Sequence, residues 1–339
     1  MTTVAVVGGG SWGTILASLA AHSGQQTLLW LRDDEVARAI NEEHRNPRYL
    51  PGHDLDPTLR ATTSLEEAVG GTPVLIFAVP SKAFRSVAAE AGAFMTGDQV
   101  VLSASKGLEP ETFLTMSQVI GHETCARKLG AVSGPNLAKE ILAGQPSATV
   151  IASSFREVIV RGAEALHSDK LRIYGSQDLL GVEVAGALKN VIAIACGIAQ
   201  GLGFGHNVRA MIVTRGMAEI QRLGVKLGAD PLTFSGLAGF GDMLVTCSSA
   251  LSRNFRVGLG LAQGKDLPQI LDALGEVAEG VNTTRVALAL AQREGVVMPI
   301  TEAVGHMLFE GGTAAAVMED LMSRAARYEI DLDYTAEVV

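Results

Sequence analysis

Three glycines near the start of the chain, Gly8, Gly10 and Gly13 in "VAVVGGGSWGTILASLAAHSG", constrain the fold more than any other feature. They stand where a β-branched apolar run gives way to a helical pattern. In that setting Gly8 permits a tight turn, Gly10 lets the backbone approach a pyrophosphate, and Gly13 lets helix and strand pack closely. The helix N-terminus adds free N–H groups and a positive dipole end. The stretch therefore predicts a dinucleotide-binding βαβ unit. Ser11 and Trp12 fall on the side of the turn that faces such a ligand, although Trp12 could equally pack the wall of the crevice.

The first half of the chain continues this alternation. Strands are expected at 3–8, 26–31, 73–79, 99–105, 129–134, 148–153 and 171–176, with helical patterns between them, as in a parallel, doubly wound sheet. From about Gly181 the strand signal fades. Long Ala/Leu/Gly-rich patterns take over at 181–200, 207–227, 253–263, 267–274, 281–294, 299–309 and 313–327. The fold expected is an α/β N-terminal Rossmann-type doubly wound sheet followed by an all-α C-terminal domain. Its parts are a dinucleotide-binding domain over 1–178, a helical substrate and catalytic domain over 179–330, and an acidic tail over 331–339. The boundary is a change of periodicity, with no repeat and no low-complexity linker.

The second strand ends in "LLWLRDDEVARAI". An acidic residue at this strand end takes the ribose 2'-hydroxyl of NAD(H), whereas an arginine accommodates the 2'-phosphate of NADP(H). Arg32 comes directly off the strand, and Asp33 or Asp34 suits the N-cap of the next helix. NADP(H) is the preferred cofactor on this reading, with NAD(H) left open.

In "VEVAGALKNVIAIACGIAQGLGFG", residues 182–205, Lys189 is the lone charge between Val184 and Phe204. A helix apolar on every face is buried, and an ammonium inside it is costly without a partner or ligand. Desolvation is expected to lower its pKa and make it a usable proton donor to a carbonyl oxygen that receives a hydride. Asn190 follows it directly. Farther on, Asp242 and Thr246 are four apart and share a face if their segment is helical; Asp242 either caps that helix or holds Lys189. Ser252, Arg253 and Asn254 place a hydroxyl, a guanidinium fork and an amide in succession, a set suited to a terminal phosphate. Lys106 in "LSASKGLE" and Gly134 in "AVSGPNLAKEI" end two strands, where an open α/β sheet lines its ligand crevice.

Composition narrows the partners. With 27 basic against 36 acidic residues, a net charge of -9, the chain lacks a broad footprint for nucleic acid or an anionic membrane. Cys125, Cys196 and Cys247 are an odd, scattered set that reads as reduced, buried thiols in the cytoplasm; no metal site is expected. The first residues lack the basic start and apolar core of a secretory signal. The best candidate for a membrane span is interrupted by Lys189 and Asn190, so none is expected. Assembly as a homodimer is compatible with the sequence and not specified by it.

Taken in order, "GGGSWGT", "NPRYLPG", "FAVPS", "SASKGLE", "SGPNLAKE", "EVAGALKNVIAIACGIAQGLGFG", "GLAGFGDMLVTC", "SRNFRVG" and "AEGVNT" closely resemble the bacterial NAD(P)-dependent sn-glycerol-3-phosphate dehydrogenases over nearly the whole chain. The resemblance implies reduction of dihydroxyacetone phosphate to sn-glycerol 3-phosphate for phospholipid synthesis. It implies that Lys189 donates or accepts the proton, that Asp242 belongs to the active site, and that Lys106, Gly134, Ser252, Arg253 and Asn254 contact substrate. It places Ser11, Trp12, Arg32, Tyr49, Lys106, Ala138, Arg253, Val277 and Glu279 at the cofactor. Asn136, Asn190 and Thr246 join the expected substrate set. Two positions depart from the family pattern: Asn136 stands where Ser or Thr is usual, and "VNTTRVA" follows Glu279 where many members carry Tyr or Arg after the glycine. Two alternatives stay open at this point, a related two-domain reductase of a keto acid or β-hydroxyacid, and a non-catalytic NADPH-binding module.

Overall fold

The computed structural model describes residues 3–275, 277–313, 316, 317, 319 and 323. The acidic tail expected at 331–339, and most of the helical pattern at 313–327, lie outside them. The chain divides into two compact units, Met1–Lys106 with Leu114–Leu179, and Gly107–Phe113 with the chain from Leu180 onward.

The first unit is built on eight strands, β1 (Thr3–Val7), β2 (Gln26–Trp30), β3 (Arg60–Thr62), β4 (Val74–Phe77), β5 (Val100–Ser103), β6 (Lys128–Ser133), β7 (Ser147–Ala152) and β8 (Leu171–Ser176). They form one sheet in the order β3-β2-β1-β4-β5-β6-β7-β8. The order reverses at β1, which lies between β2 and β4, and ligands of open α/β sheets bind at the carboxyl ends of the strands at such a switch point. The helices are α1 (Ser11–His22), α2 (Asp34–Glu43), α3 (Leu65–Val69), α4 (Ser81–Gly92), α5 (Met116–Glu123), α6 (Ala138–Leu142) and α7 (Arg156–Leu166). Alternate residues of β1 feed two separate cores, Val4 and Val6 one and Ala5 and Val7 the other, because successive strand side chains point to opposite faces.

Two features depart from the expected sheet. β3 is only three residues, "RAT", with no apolar alternation to announce it. β7 runs antiparallel to β6, in the register Ala131↔Ala152, Val132↔Ile151 and Ser133↔Val150, whereas every other pairing is parallel. The connection from β6 to β7 carries only the five-residue α6, about 7.5 Å of helix against roughly 20 Å for a strand of six. A helix that short does not run the length of the strand, and β7 starts where β6 ends.

The second unit is helical: α8 (Leu179–Gly201), α9 (His206–Lys226), a 3-10 turn (Pro231–Ser235), a π-helical turn (Leu237–Gly241), α10 (Asp242–Ser248), α11 (Arg253–Ala262), α12 (Leu267–Leu274), α13 (Glu279–Glu294) and α14 (Pro299–Phe309). α8 is its axis, buried from Gly181 to Ala199. Its length and mean hydropathy of 1.7 would let it cross a membrane despite Lys189 and Asn190, but 83% of that window is buried inside the protein. Burial marks it as a core helix. α11 crosses α8 at two glycines: a Cβ on Gly197 would lie 2.0 Å from the Phe255 carbonyl oxygen, and one on Gly258 2.0 Å from that of Ile194. The backbones touch there, which fixes the start of α11 against the middle of α8. Of the three free cysteines, Cys196 and Cys247 are buried as expected, whereas Cys125 is exposed in the loop before β6.

Candidate active site

The glycine turn after β1 has the strain and the closeness that its sequence predicts. Gly8 adopts φ +126°, and a Cβ on Gly13 would lie 1.8 Å from the Gly8 carbonyl oxygen. A Cβ on Gly10, the N-cap of α1, would meet nothing within 4 Å. A backbone bare at that point, opening the first turn of a 12-residue helix, fits the pyrophosphate of a dinucleotide. The turn is braced by a residue that the sequence reading does not single out. Asn46, fully buried, donates through Nδ2 to Gly9 O at 3.1 Å and to Thr14 Oγ1 at 2.9 Å, and accepts from Tyr49 N at 3.1 Å. Ser11 Oγ reaches Tyr49 O at 3.3 Å. Trp12 and Tyr49 both pack their rings, half-buried, against the core of the sheet.

At the end of β2 the acids are occupied. Asp33 caps α2, accepting from Glu35 N at 3.1 Å and Val36 N at 3.2 Å, and pairs with Arg48 at 3.2 Å. The Val36 N–H is the main cause that holds its carboxyl below the usual range. Arg32 beside it is exposed. The neighbouring strand ends carry the other expected residues of this unit. Lys106 Nζ donates to Gly134 O at 3.2 Å, and Gly134 adopts φ +154°. Asn136 does not bond to Lys106; its Nδ2 donates to Thr149 Oγ1 at 2.8 Å. Ala138 opens α6.

In the second unit the lone lysine of α8 meets a carboxylate and a hydroxyl of α10. Lys189 is 5% exposed, and its Nζ donates to Asp242 Oδ1 at 2.7 Å and to Thr246 Oγ1. Asp242 does not cap its helix, whose N-cap is Gly241; its carboxylate faces the ammonium instead. Thr246 passes its own proton to the Asp242 carbonyl at 2.6 Å, so its lone pairs remain for Lys189. The π-helical turn just before α10 sets Asp242 and Thr246 toward α8, the kind of irregularity that recurs at functional sites. A buried ammonium is tolerable with a carboxylate and a hydroxyl in place, and stripping either acceptor would leave a desolvated charge short of partners. Cys247 is not a rival nucleophile: its hydrogen bond with Cys196, then its burial, push the thiol well above the ordinary value.

The Ser-Arg-Asn triplet opens α11, and two of its members carry structural loads. Ser252 Oγ caps the helix, accepting from Phe255 N at 3.3 Å. Asn254 Oδ1 accepts from Gly280 N at 2.9 Å, tying α11 to the first turn of α13 next to the half-buried Glu279. A Cβ on Gly280 would lie 2.8 Å from both the Asn190 carbonyl oxygen and Asn254 Oδ1, so Asn190, Asn254 and Gly280 meet at one point. Arg253 is exposed at the first position of α11, and Val277 is 45% exposed before α13. Asn254 could be read from the sequence only as a polar contact, because its acceptor's partner is a main-chain N–H 26 residues away.

Comparison with known proteins bears on the whole chain. The family model of the NAD-dependent glycerol-3-phosphate dehydrogenase N-terminus matches residues 3–159, and that of the C-terminus matches 178–319. The chain is 45% identical over 328 residues to a glycerol-3-phosphate dehydrogenase [NAD(P)+] of Acinetobacter baylyi, covering 97% of this chain and 92% of that one. It is 44% identical over 329 residues to the enzyme of the same name from Teredinibacter turnerae, covering 97% of each. The crystal structure of glycerol-3-phosphate dehydrogenase from Coxiella burnetii superposes with a TM-score of 0.91 at 35% identity, over 95% of this chain and 99% of that one. With both family models matched in order along one chain, the protein belongs to the NAD-dependent glycerol-3-phosphate dehydrogenase family.

Proposed function

We propose that the chain reduces dihydroxyacetone phosphate to sn-glycerol 3-phosphate, reversibly, with NADPH preferred over NADH, and so supplies glycerophospholipid synthesis in the cytoplasm. The observation that carries the reading is the buried Lys189–Asp242–Thr246 cluster on an otherwise apolar helix, in a chain whose first unit opens with a bare glycine turn. Residues 1–178 are assigned to the nucleotide and 179–330 to substrate and catalysis. Assembly as a homodimer belongs to the same reading.

When bound, the reduced nicotinamide supplies the hydride for C2 of the ketone. The work of the chain is to hold the pyrophosphate, with Gly8, Gly10 and Gly13 letting the backbone and the first N–H groups of α1 approach it. Arg32, off the end of β2, faces the 2'-phosphate, and Ser11, Trp12, Tyr49, Lys106, Ala138, Arg253, Val277 and Glu279 complete the nucleotide set. Lys189 gives a proton to the ketone oxygen as negative charge develops on it. Asp242 and Thr246 accept from its Nζ and hold the ammonium in place. Arg253 and the amide nitrogen of Asn254 hold the phosphate, with Lys106, Gly134, Asn136, Asn190 and Ser252 around the substrate. Binding energy from the phosphate, remote from the reacting carbon, is what holds the ketone in place, so a substrate without it should lose turnover as well as affinity.

The test is NADPH oxidation with dihydroxyacetone phosphate, ketopantoate and hydroxypyruvate in parallel. Selective turnover of the phosphorylated ketone is the expected result. Faster turnover of either keto acid would reassign the guanidinium and the lysines to a carboxylate.

A further inference from the structure

Asn136 follows Gly134 and Pro135 at the carboxyl end of β6, and its amide is half committed. Nδ2 donates to Thr149 Oγ1 at 2.8 Å, and Thr149 Oγ1 donates to Ser133 O at 3.1 Å. A hydroxyl carries one proton, so Thr149 accepts from Asn136 while it donates to Ser133. That relay decides which way the amide points, nitrogen toward Thr149 and oxygen away from it. Asn136 Oδ1 is buried, and no protein donor among the described residues reaches it; the same is true of Ser133 Oγ, three residues earlier. Burying a polar atom without a partner is costly, so two of them at one strand end point to a polar ligand group. Lys106, in the segment after β5, bonds to Gly134 O at 3.2 Å.

We propose that Thr149 sets the orientation of the Asn136 amide, and that Asn136 Oδ1 is thereby a specificity-determining acceptor for a hydroxyl of the substrate rather than a ligand for its phosphate. The inference rests on the reading above, in which the substrate is a phosphorylated three-carbon ketone. A phosphate group presents acceptors, which an amide oxygen repels. The terminal hydroxyl on C1 of dihydroxyacetone phosphate is the donor that fits. Thr149 is then a positioning residue: fully buried, it acts on the substrate only through Asn136.

Hydroxyacetone phosphate keeps the ketone and the phosphate and lacks only that hydroxyl. Wild-type enzyme is expected to favour dihydroxyacetone phosphate by about tenfold or more in kcat/KM, the scale of one hydrogen bond whose absence leaves a buried acceptor unpaired. Asn136→Leu removes the acceptor at similar volume, and Thr149→Val removes the hydroxyl that holds the amide; each is expected to bring the preference toward unity. Thr149→Ser restores the hydroxyl and, with it, the preference. A purely structural role for Thr149 would lower kcat/KM for both compounds together and leave their ratio in place, which overturns the assignment. So does an unchanged ratio in Asn136→Leu, the result expected if water alone satisfies the amide oxygen. Wild type that turns over both compounds equally overturns this inference and leaves the proposed function standing. Wild type that turns over neither overturns both.

Discussion

Glu219 on α9 accepts a hydrogen bond from the main-chain N–H of Ile300 at 2.6 Å, in the first turn of α14. Its second oxygen takes the Thr301 N–H at 3.2 Å and the Thr301 hydroxyl at 3.1 Å. Burial, the largest influence, nevertheless pushes the carboxyl up to about 7 from 4.5, against those bonds and the nearby Arg222. Because the folded pKa lies above the unfolded one, the contribution to stability is complete below about 4.5 and is lost as pH rises to about 7. The loss is roughly 3 kcal/mol for a shift of this size. The Tm difference between wild type and Glu219→Gln, followed by calorimetry from pH 4.5 to 8, is therefore expected to move against wild type as pH rises. A difference independent of pH would mean that Glu219 does not titrate in this window.

Lys189→Ala is expected to lower kcat by about 10²- to 10⁴-fold, the usual range for a positioned acid–base group, with little change in NADPH affinity. Asp242→Asn keeps the shape and removes the charge that Lys189 Nζ meets at 2.7 Å, so kcat should fall there too, with an altered pH profile. Near-normal turnover in a folded Lys189→Ala would end the proton role. Steady-state kinetics with circular dichroism as a folding control decides it.

Arg32→Ala is expected to weaken NADPH by about one to two orders of magnitude, the equivalent of roughly 1.5 to 3 kcal/mol for a charge-assisted contact. NADH has no 2'-phosphate to lose, and its affinity should stay nearly level. The adjacent Asp33 is tied up in its cap and in its pair with Arg48, which supports the proposed assignment of the preference to Arg32. The measurement is the ratio of kcat/KM for the two nucleotides at low ionic strength, where screening is weakest. An unmoved ratio would make Arg32 a solvated loop residue.

Asn46→Ala strips the glycine turn of its brace: Tyr49 N loses its side-chain acceptor, while Gly9 O and Thr14 Oγ1 lose the amide and keep the bond between them. The expected cost is roughly 1 to 3 kcal/mol for each buried group that finds no other partner. A lower Tm together with a raised KM for NADPH is the expected pair of results, since Tyr49 and the glycine turn are displaced together. A lower Tm alone would confine Asn46 to stability.

How much of this the sequence discloses depends on whether the relevant physics is local. Gly8 and Gly13 are legible because a strand, a turn and a helix within a dozen residues already demand them. Lys189 is legible because a lone charge on an apolar helix is an anomaly at any distance from its partner. Asp242 and Thr246 are half legible: their spacing places them on one face, but only the π-helical turn before them turns that face to Lys189. Thr149 leaves no mark, since a β-branched residue in a strand is what a strand ordinarily contains. Asn46 and Asn254 hide their work for another reason, which is that each bonds mainly to main-chain atoms, and those carry no sequence signal. The reversal of β7 is equally silent, since no residue type in the segment that carries the short α6 announces it.

That reversal has a consequence for how the sheet and substrate discrimination are joined. In a wholly parallel sheet, the amino-terminal half of a strand lies at the edge away from ligand, and only loops and helix tips decorate the binding edge. Here Ser133 is registered against Val150, so Thr149, third residue of its strand, comes to the edge where β6 ends. A side chain so placed is held by a ladder of main-chain hydrogen bonds, without the freedom of a loop. Its direction also depends on that ladder's register: a slip of a single residue would turn every β7 side chain to the opposite face. The discrimination of one hydroxyl thus depends on strand alignment, and apolar substitutions in the β6–β7 ladder, far from any ligand atom, should be felt in substrate choice before they are felt in the hydride step.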